Sequence, residues 1–119
     1  MLSLTDNRRY YFYGGYTDMR KSFDGLCSLI TQHLGNNPLS GDVYIFINKN
    51  RDRIKLLLWD KNGFIIYYKR LESGTYELPK LEAHLRQIEL RRDELLLLLE
   101  GISLQSIKRR KRFSLQTTK

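Results

Sequence analysis

The run Lys108-Arg109-Arg110-Lys111-Arg112 has the clearest chemical potential in this sequence, because five adjacent cations can bind the phosphate groups of a polyanion. The chain carries 21 Lys and Arg against 13 Asp and Glu, a net charge of +8, and residues 108–119 hold six of the basic side chains and none of the acidic ones. Blocks of like charge repel one another, stay unfolded and commonly bind nucleic acid. We therefore predict that residues 105–119 form a disordered basic tail that contacts DNA; a purely solubilising end is the alternative.

A second group of cations lies in a predicted hairpin, where four basic side chains within seven residues are opposed only by Asp52. Arg51, Arg53 and Lys55 share one face if the strand begins early. Lys69 and Arg70 lie across the next hairpin from Lys55 in either of the two strand registers considered below. Like charges that face one another destabilise a sheet, so we predict that a polyanion neutralises them through phosphate contacts. The predicted phosphate-binding residues are Arg51, Arg53, Lys55, Lys69 and Arg70, with Lys49 beside them. Trp59, Tyr67 and Tyr68 are close enough in sequence to add base stacking.

Arg20 and Lys21 follow Gly14-Gly15 in the predicted first turn of a helix. Cations at that place oppose the helix dipole, and a phosphate bound at the helix N-terminus would relieve the conflict. Asp18, at the predicted cap, would instead satisfy the free N–H groups itself and repel a phosphate. A phosphate site and a tight turn before a capped helix are both consistent with these residues.

The sequence offers no recognisable catalytic or metal-binding arrangement. A nuclease needs clustered carboxylates that hold a divalent metal ion, whereas the available ones are poorly placed on a helix or lie at predicted turns, where Asp makes local hydrogen bonds. These carboxylates are Asp18, Asp24, Asp42, Asp52 and Asp60. His33 and His84 have no Cys or His at ligand spacing, and Cys27 lies on an apolar stripe. We predict no catalytic residue, metal or cofactor, with a metal-dependent nuclease as a minor alternative.

Size and composition limit the class of protein. A chain of 119 residues, 41% hydrophobic and 29% charged, is typical of one globular domain. Its longest aliphatic run, Leu95 to Leu99, is too short to cross a membrane, and residues 1–9 lack the apolar core of a signal peptide. The single cysteine fits a reducing compartment. We expect a cytoplasmic, nucleoid-associated protein with no membrane contact.

Hydrophobic periodicity predicts an α+β fold: a mainly antiparallel β-meander of about four to five strands packed with two or three helices, in one domain over residues 1–104. The predicted elements are strands over 8–13, 43–48, 54–59, 64–71 and 75–78 and a helix over 19–34, capped by Thr17 or Asp18. Gly14-Gly15 should end the first strand. The turn at 60–63 pairs Trp59 with either Ile66 or Ile65.

The segment 80–100 has two interpretations. Propensity favours one long helix, but Arg92 interrupts the apolar stripe, so the alternative is a break near Arg91 followed by a short helix that ends at Gly101. A leucine-rich helix here would pack one face on the sheet and offer the other to a partner. The candidate interface residues are Leu95, Leu96, Leu98 and Leu99.

Five strings of the sequence carry a family resemblance. They are YTDMRKSFDGL (16–26), PLSGDVYIF (38–46), DRIKLLLWD (52–60), GFIIYYKRLESGT (63–75) and LLLLLEGI (95–102). In this order and spacing they resemble the TnpB accessory proteins of bacterial insertion sequences of the sixty-six family, over about residues 8–102. The resemblance implies a small protein that is encoded beside a separate, larger transposase and needed for efficient movement of the element. The family has no agreed catalytic residues, so none is carried over.

Together these observations predict a non-catalytic accessory protein for transposition. We expect it to bind duplex DNA through phosphate contacts, at transposon ends or without sequence preference, because no helix-turn-helix or zinc finger supplies a reading head. The separately encoded transposase is the expected protein partner, and a second copy of this chain is another candidate. The alternative is a protein–protein adaptor of the transposase with no DNA contact.

Overall fold

Five strands and two α-helices make up the described part of the protein, which is residues 8–101 of a computed structural model. The strands are β1 (Tyr10–Tyr16), β2 (Val43–Ile47), β3 (Arg53–Asp60), β4 (Gly63–Arg70) and β5 (Gln87–Leu90). The helices are α1 (Phe23–Ser28), which continues as a π-helical turn over Leu29–His33, and α2 (Arg92–Glu100). The predicted α+β class is confirmed. The basic run at 108–112 and the predicted domain boundary at 104 lie outside the described residues.

The strands form one mixed sheet in the order β4-β3-β2-β1-β5. Strands β2, β3 and β4 make the antiparallel meander that the sequence predicts, and β5 pairs antiparallel with β1. The pairing of β1 with β2 is parallel, because α1 and its connections return the chain to the starting end of the sheet before β2 begins. Among residues 8–101, no helix combines the length and apolarity needed to cross a membrane.

Both faces of the sheet are covered, which explains the uninterrupted apolar sequence of β2. On one face Tyr44, Phe46 and Leu57 pack against Leu26 and Ile30 of the α1 segment. The other face packs against α2 and the irregular segment 71–86, and its fully buried residues include Ile45, Leu56, Tyr76 and Leu95. All five side chains of β2 are therefore buried, while β4 and β5 lie at the two edges.

The predicted helix over 19–34 begins four residues late, and the predicted cap at Thr17 or Asp18 is wrong. The carbonyl groups of Met19 and Lys21 accept hydrogen bonds from the Lys55 ammonium, and the Asp18 carboxylate accepts one from the Arg20 backbone N–H. These contacts hold residues 18–21 in a loop. Arg20 and Lys21 thus precede the helix rather than lie in its first turn.

The glycine pair at 14–15 does not end β1, contrary to prediction. The strand continues to Tyr16, with an irregular register between Phe12 and Tyr16. A Cβ on Gly14 would lie 2.7 Å from the Leu81 side chain, and one on Gly15 would lie 2.8 Å from the Tyr13 ring. The Leu81 and Tyr13 side chains therefore leave no room for a Cβ at these two positions, which explains why both residues are glycine.

The β3–β4 hairpin adopts neither of the two predicted registers. Trp59 pairs with Phe64, and Asp60 with Gly63, so the turn residues are Lys61 and Asn62. Lys61 has φ 56°, the left-handed conformation that the sequence rules assign to glycine.

In segment 80–100, the alternative with a break before a short helix is correct, because β5 and α2 meet at Arg91. The predicted strand over 75–78 is absent from the described segment 71–86.

Candidate nucleic-acid interface

Six cations that are exposed or half-buried surround one end of the sheet, where β1, β2 and β4 finish and β3 begins. We call this surface the basic end, and its cations are Arg20, Lys21, Lys49, Arg51, Arg53 and Arg70. Two open concavities cover it. The first, of about 670 Å³, is lined by residues 16–20, 48–50 and 52–53. The second, of about 510 Å³, is lined by Arg53, Tyr68, Arg70 and Glu72, so Arg53 belongs to both.

Arg53 and Arg70 lie directly opposite each other on the antiparallel strands β3 and β4. Like charges in such a pair repel, because Cβ atoms of opposite residues are about 5 Å apart. Glu72 partly compensates: its carboxylate accepts two hydrogen bonds from the Arg70 guanidinium, at 3.0 and 2.9 Å. This contact lowers the pKa of Glu72 and raises that of Arg70. Among residues 8–101 the Arg53 side chain donates only to the Tyr68 hydroxyl, at 3.4 Å, so the pair keeps an excess positive charge.

Asn48 builds the turn between β2 and β3. Its side-chain oxygen accepts hydrogen bonds from the backbone N–H groups of Asp52 and Arg53, both at 3.0 Å. Its amide nitrogen donates to the Asp52 carboxylate at 2.7 Å. Asn at turns commonly makes such local bonds. These bonds fix the turn. β3 begins directly after it at Arg53, which lines both concavities.

The same turn exposes Lys49 and Arg51. Arg51 adopts the left-handed conformation, with φ 59°, and its carbonyl accepts a hydrogen bond from the Tyr76 backbone N–H at 2.7 Å. Within residues 8–101 the side chains of Lys49, Arg51 and Lys21 make no hydrogen bond or ion pair. These three cations are therefore available to an anion.

The loop before α1 forms the other wall of the first concavity. Asp18 and Arg20 make a two-pronged ion pair, with the closest nitrogen–oxygen distance 2.6 Å. Hydrogen bonds from Arg20 lower the pKa of Asp18 to about 2, so the carboxylate stays ionised at any physiological pH. The pair reduces the local positive charge but leaves the Arg20 guanidinium exposed. The prediction that Arg20 and Lys21 lie in the first turn of a helix is wrong, because α1 begins at Phe23; a phosphate contact of these two cations stays a prediction.

Lys55 is buried and holds a loop of the protein in place. The residue is only 7% exposed, and its ammonium donates to the carbonyl oxygens of Met19 at 2.8 Å and Lys21 at 2.7 Å. The same nitrogen lies 4.7 Å from the centre of the Tyr68 ring. Lys55 thus anchors the loop that carries Arg20, and its charge is taken up by protein groups instead of facing a phosphate.

Lys69 is also engaged. Its ammonium donates to the Leu99 carbonyl at 2.7 Å, and a cation at a helix C-terminus is favoured by the helix dipole. Arg8, at the opposite end of the sheet, donates to the carbonyls of Gly41 and Trp59, at 2.6 and 3.4 Å. Lys55, Lys69 and Arg8 are therefore held by backbone carbonyl groups of the protein, unlike the six cations at the basic end.

Of the aromatic residues considered for stacking, only Tyr68 is open to solvent. Trp59 packs edge-on against Phe64 with ring centres 5.0 Å apart, and Tyr67 is partly buried against the core cluster. Tyr68 is 48% exposed. Tyr16, which the sequence analysis did not single out, is 60% exposed and lines the first concavity. No local signal distinguished it from the neighbouring tyrosines of an aromatic-rich strand.

The four leucines proposed as a partner interface separate into two groups. Leu95 and Leu98 are buried in the core against the sheet, and Leu99 packs partly on it. Leu96 is 45% exposed. Of these four leucines, Leu96 and the accessible part of Leu99 are therefore the ones that a partner can reach.

The carboxylates considered for a nuclease are dispersed. Within residues 8–101 no group of three or more His, Cys, Asp or Glu side chains could hold a metal ion. Asp18 is paired with Arg20, Asp52 with Asn48, and Asp60 with Arg8 at 3.5 Å. Cys27 is half-buried, and burial raises the pKa of its thiol.

Comparison with known proteins identifies the chain's relatives. A family model described as "IS66 Orf2 like protein" matches residues 8–109, which include every strand and helix described above. The chain belongs to the IS66 Orf2-like family. The chain is also similar to two uncharacterized proteins of Sinorhizobium fredii (strain NBRC 101917 / NGR234). Protein y4jC is 31% identical over 93 residues, 78% of each chain, and y4hO is 32% identical over 82 residues, 69% of this chain and 71% of its own. No solved structure matches.

Membership of the IS66 Orf2-like family confirms the resemblance on which the sequence analysis relied. It makes the protein a transposition-associated accessory protein of an insertion sequence. The IS66 Orf2-like family is not a known enzyme family.

Proposed function

We propose that this IS66 Orf2-like protein binds DNA through phosphate contacts at its basic end, without catalysing a reaction itself, and so assists a separately encoded transposase. The observation that carries the proposal is the Arg53–Arg70 pair, directly opposed on neighbouring strands. A sheet gains nothing from this repulsion in the free protein. A phosphodiester between the two guanidinium groups would remove it, and arginine's fork of donors suits phosphate oxygens.

The surroundings of this pair support an extended anion. Lys49 and Arg51 lie on a fixed turn beside Arg53, and Arg20 lies across the first concavity. Among the described residues, Asp18, Asp52 and Glu72 partly offset the six cations. Contacts of this kind position DNA without reading its sequence, so we expect similar affinity for unrelated sequences and a steep dependence on salt.

The double variant Arg53→Gln and Arg70→Gln tests this proposal. For duplex DNA, each phosphate contact contributes about 0.9 to the slope of log affinity against log salt. The double variant should therefore lower that slope by about 1.8, with an equal effect on unrelated sequences. Fluorescence anisotropy with labelled duplex at several salt concentrations measures both quantities.

A charge-matched control is available at the opposite end of the sheet. Lys61 lies in the β3–β4 turn, and the exposed Arg91 is paired with Asp93. The double variant Lys61→Gln and Arg91→Gln therefore removes two positive charges outside the basic end. This control should leave the slope nearly unchanged. An equal loss of slope in the two double variants would show that net charge, rather than the basic end, governs binding.

The proposed contact with the transposase gives a separate prediction. Leu96→Ser should weaken co-purification with the transposase at high salt, because the exposed apolar side chain is where α2 can meet a partner. It should change the free energy of unfolding by no more than about 0.5 kcal/mol, as is usual for surface positions. Leu85→Ser, at another exposed leucine, is the matched control. Equal co-purification of wild type and both variants would contradict a contact at Leu96.

The adaptor alternative makes opposite predictions for the charge variants. An adaptor without DNA contact would co-purify with the transposase and support transposition equally well after Arg53 and Arg70 are changed to Gln. A loss of transposition in that double variant, with co-purification retained, would support the DNA-binding proposal.

A further inference from the structure

We infer that the basic end prefers unpaired nucleotides of DNA, with one base stacked on Tyr68 and a second on Tyr16. The inference rests on the proposed DNA binding and goes beyond it by naming the form of DNA. It starts from the position of the two most exposed tyrosine rings, each of which lines one of the two concavities that share Arg53.

Tyr68 is held in place although almost half of its surface is exposed. The buried Lys55 ammonium lies 4.7 Å from the ring centre and occupies one face, and Arg53 donates to the hydroxyl. Lys55 is itself fixed by two backbone carbonyls. β4 is an outer strand, and Tyr68 keeps 48% of its surface open to solvent. A ring already fixed in this way loses little conformational freedom when a base stacks on it.

Tyr16 lies on the other side of Arg53. Tyr16 pairs with Ile47 of β2, Ile47 pairs with Ile54 of β3, and Ile54 pairs with Lys69 of β4. Lys69 is the residue that follows Tyr68 in the chain. The backbones of the two tyrosines are thus about three strand spacings apart, or roughly 14 Å. Successive side chains of a strand point to opposite faces, so Tyr16 and Tyr68 lie on opposite sides of this end of the sheet, and Arg53 lines the concavity beside each ring. A strand of nucleotides that passes around the end of the sheet could contact both rings and place a phosphate at Arg53.

This combination of aromatic platforms and cations is the one that distinguishes single strands from duplexes. Bases of a duplex are already stacked and paired, so exposed tyrosines add nothing to duplex binding. Single-strand binding proteins combine a basic groove with aromatic rings on which bases stack, and this stacking tolerates any sequence. Phosphate contacts alone would favour the duplex, whose charge density is higher.

Four labelled oligonucleotides of about 16 nucleotides test the inference on the full-length protein. They are single-stranded oligothymidine, an abasic strand with the same number of phosphates, a duplex, and oligouridine. The basic run at 108–112 contributes phosphate contacts to the normal and abasic strands alike, so their affinity ratio reports on the bases. We expect the normal strand to bind about tenfold more tightly than the abasic one.

The variant Tyr68→Leu should remove most of this preference and leave duplex affinity within twofold, whereas Tyr68→Phe keeps the ring and the preference. Tyr16→Leu should give a smaller loss of the same kind. Phe23→Leu is the control, because Phe23 is similarly exposed but lines neither concavity. Thermal unfolding of each variant checks that the fold persists.

Equal affinity for normal and abasic strands would overturn the inference, and so would a Tyr68→Leu variant that loses affinity for every oligonucleotide to the same extent. Tighter binding of oligouridine would overturn the assignment to DNA. In the first two cases salt-dependent duplex binding would still stand, so the proposed function would survive. Loss of salt-dependent binding to all four oligonucleotides would instead refute the proposed function.

Discussion

Replacing Lys108, Arg109, Arg110, Lys111 and Arg112 together by Gln should reduce DNA affinity more than any change within residues 8–101. Up to five phosphate contacts are lost, and at about 0.9 each the slope of log affinity against log salt should fall by as much as 4.5. The reason lies in the sequence: residues 108–119 hold six basic and no acidic side chains. This stretch of sequence contains no carboxylate of its own to compete with a phosphate, whereas Glu72 and Asp18 compete for Arg70 and Arg20.

Salt titration of the glutamine variant measures this effect, with thermal unfolding to show that residues 8–101 still fold. A variant with Gln116, Thr117 and Thr118 changed to Ala is the matched control, because it alters the same part of the chain without altering charge. Combination with the Arg53 and Arg70 variant should add the two losses of slope, since the two groups would contact different phosphates. An unchanged slope in the glutamine variant would refute any role for these cations in binding DNA.

The sequence predicted β2, β3 and β4 well because their signals are local. Alternating or continuous apolar residues identify β2, β3 and β4 to within about one residue. It did not predict the register between β3 and β4. Turn rules assign the left-handed conformation to glycine, but Lys61 adopts it, at a cost of about 1–2 kcal/mol for a residue with a Cβ. A penalty that small is readily outweighed by packing of Trp59 on Phe64.

The register error had a functional consequence. Both predicted registers placed Lys55 opposite a cation, Lys69 or Arg70. The observed register places Lys55 opposite Tyr68, and Arg53 opposite Arg70. The hypothesis of opposed like charges therefore survives with a different pair. The cation–π contact of Lys55 with Tyr68 could not have been anticipated before the register was known.

Long-range contacts account for the other differences. Lys55 lies in a strand whose flanking residues are apolar, but its burial depends on a loop 34 to 36 residues earlier in the chain. The same contacts delay the start of α1, which hydrophobic periodicity placed at Met19. Likewise, the Gly14-Gly15 pair suggested a turn because the approach of Leu81 and Tyr13 to the strand is invisible in local sequence. These features all require the assembled sheet.

The basic end therefore has two kinds of cation: a buried one, which stabilises the surrounding loops, and exposed ones, which those loops carry. Lys55 holds the loop that bears Arg20 and lies against the Tyr68 ring, while Asn48 fixes the turn that bears Lys49 and Arg51. Exposed cations on fixed loops lose less freedom when they bind an anion than cations on an unordered chain. This distinction can be tested directly, because one lysine of each kind can be changed in the same way.

Replacing Lys55 by Met should destabilise the protein without changing its salt dependence. The variant loses two hydrogen bonds from a charged donor, each worth about 1.5–3 kcal/mol. Part of this loss is offset because a buried methionine carries no charge to desolvate. We expect a net decrease of about 2–3 kcal/mol in the free energy of unfolding, measured by urea denaturation. The slope of log DNA affinity against log salt should stay the same, because this ammonium contacts carbonyl oxygens instead of phosphates.

Lys49→Met is the matched comparison and should show the reverse pattern. Lys49 is exposed and makes no hydrogen bond or ion pair within residues 8–101, so its replacement should change the free energy of unfolding by less than about 0.5 kcal/mol. If it contacts one phosphate, its loss lowers the slope for duplex DNA by about 0.9. The structural assignment of Lys55 would be contradicted if Lys55→Met lowered the slope as much as Lys49→Met does while stability remained that of the wild type. In that event the ammonium would have to leave the two carbonyls of the loop and reach the DNA, and the loop bearing Arg20 would need another anchor.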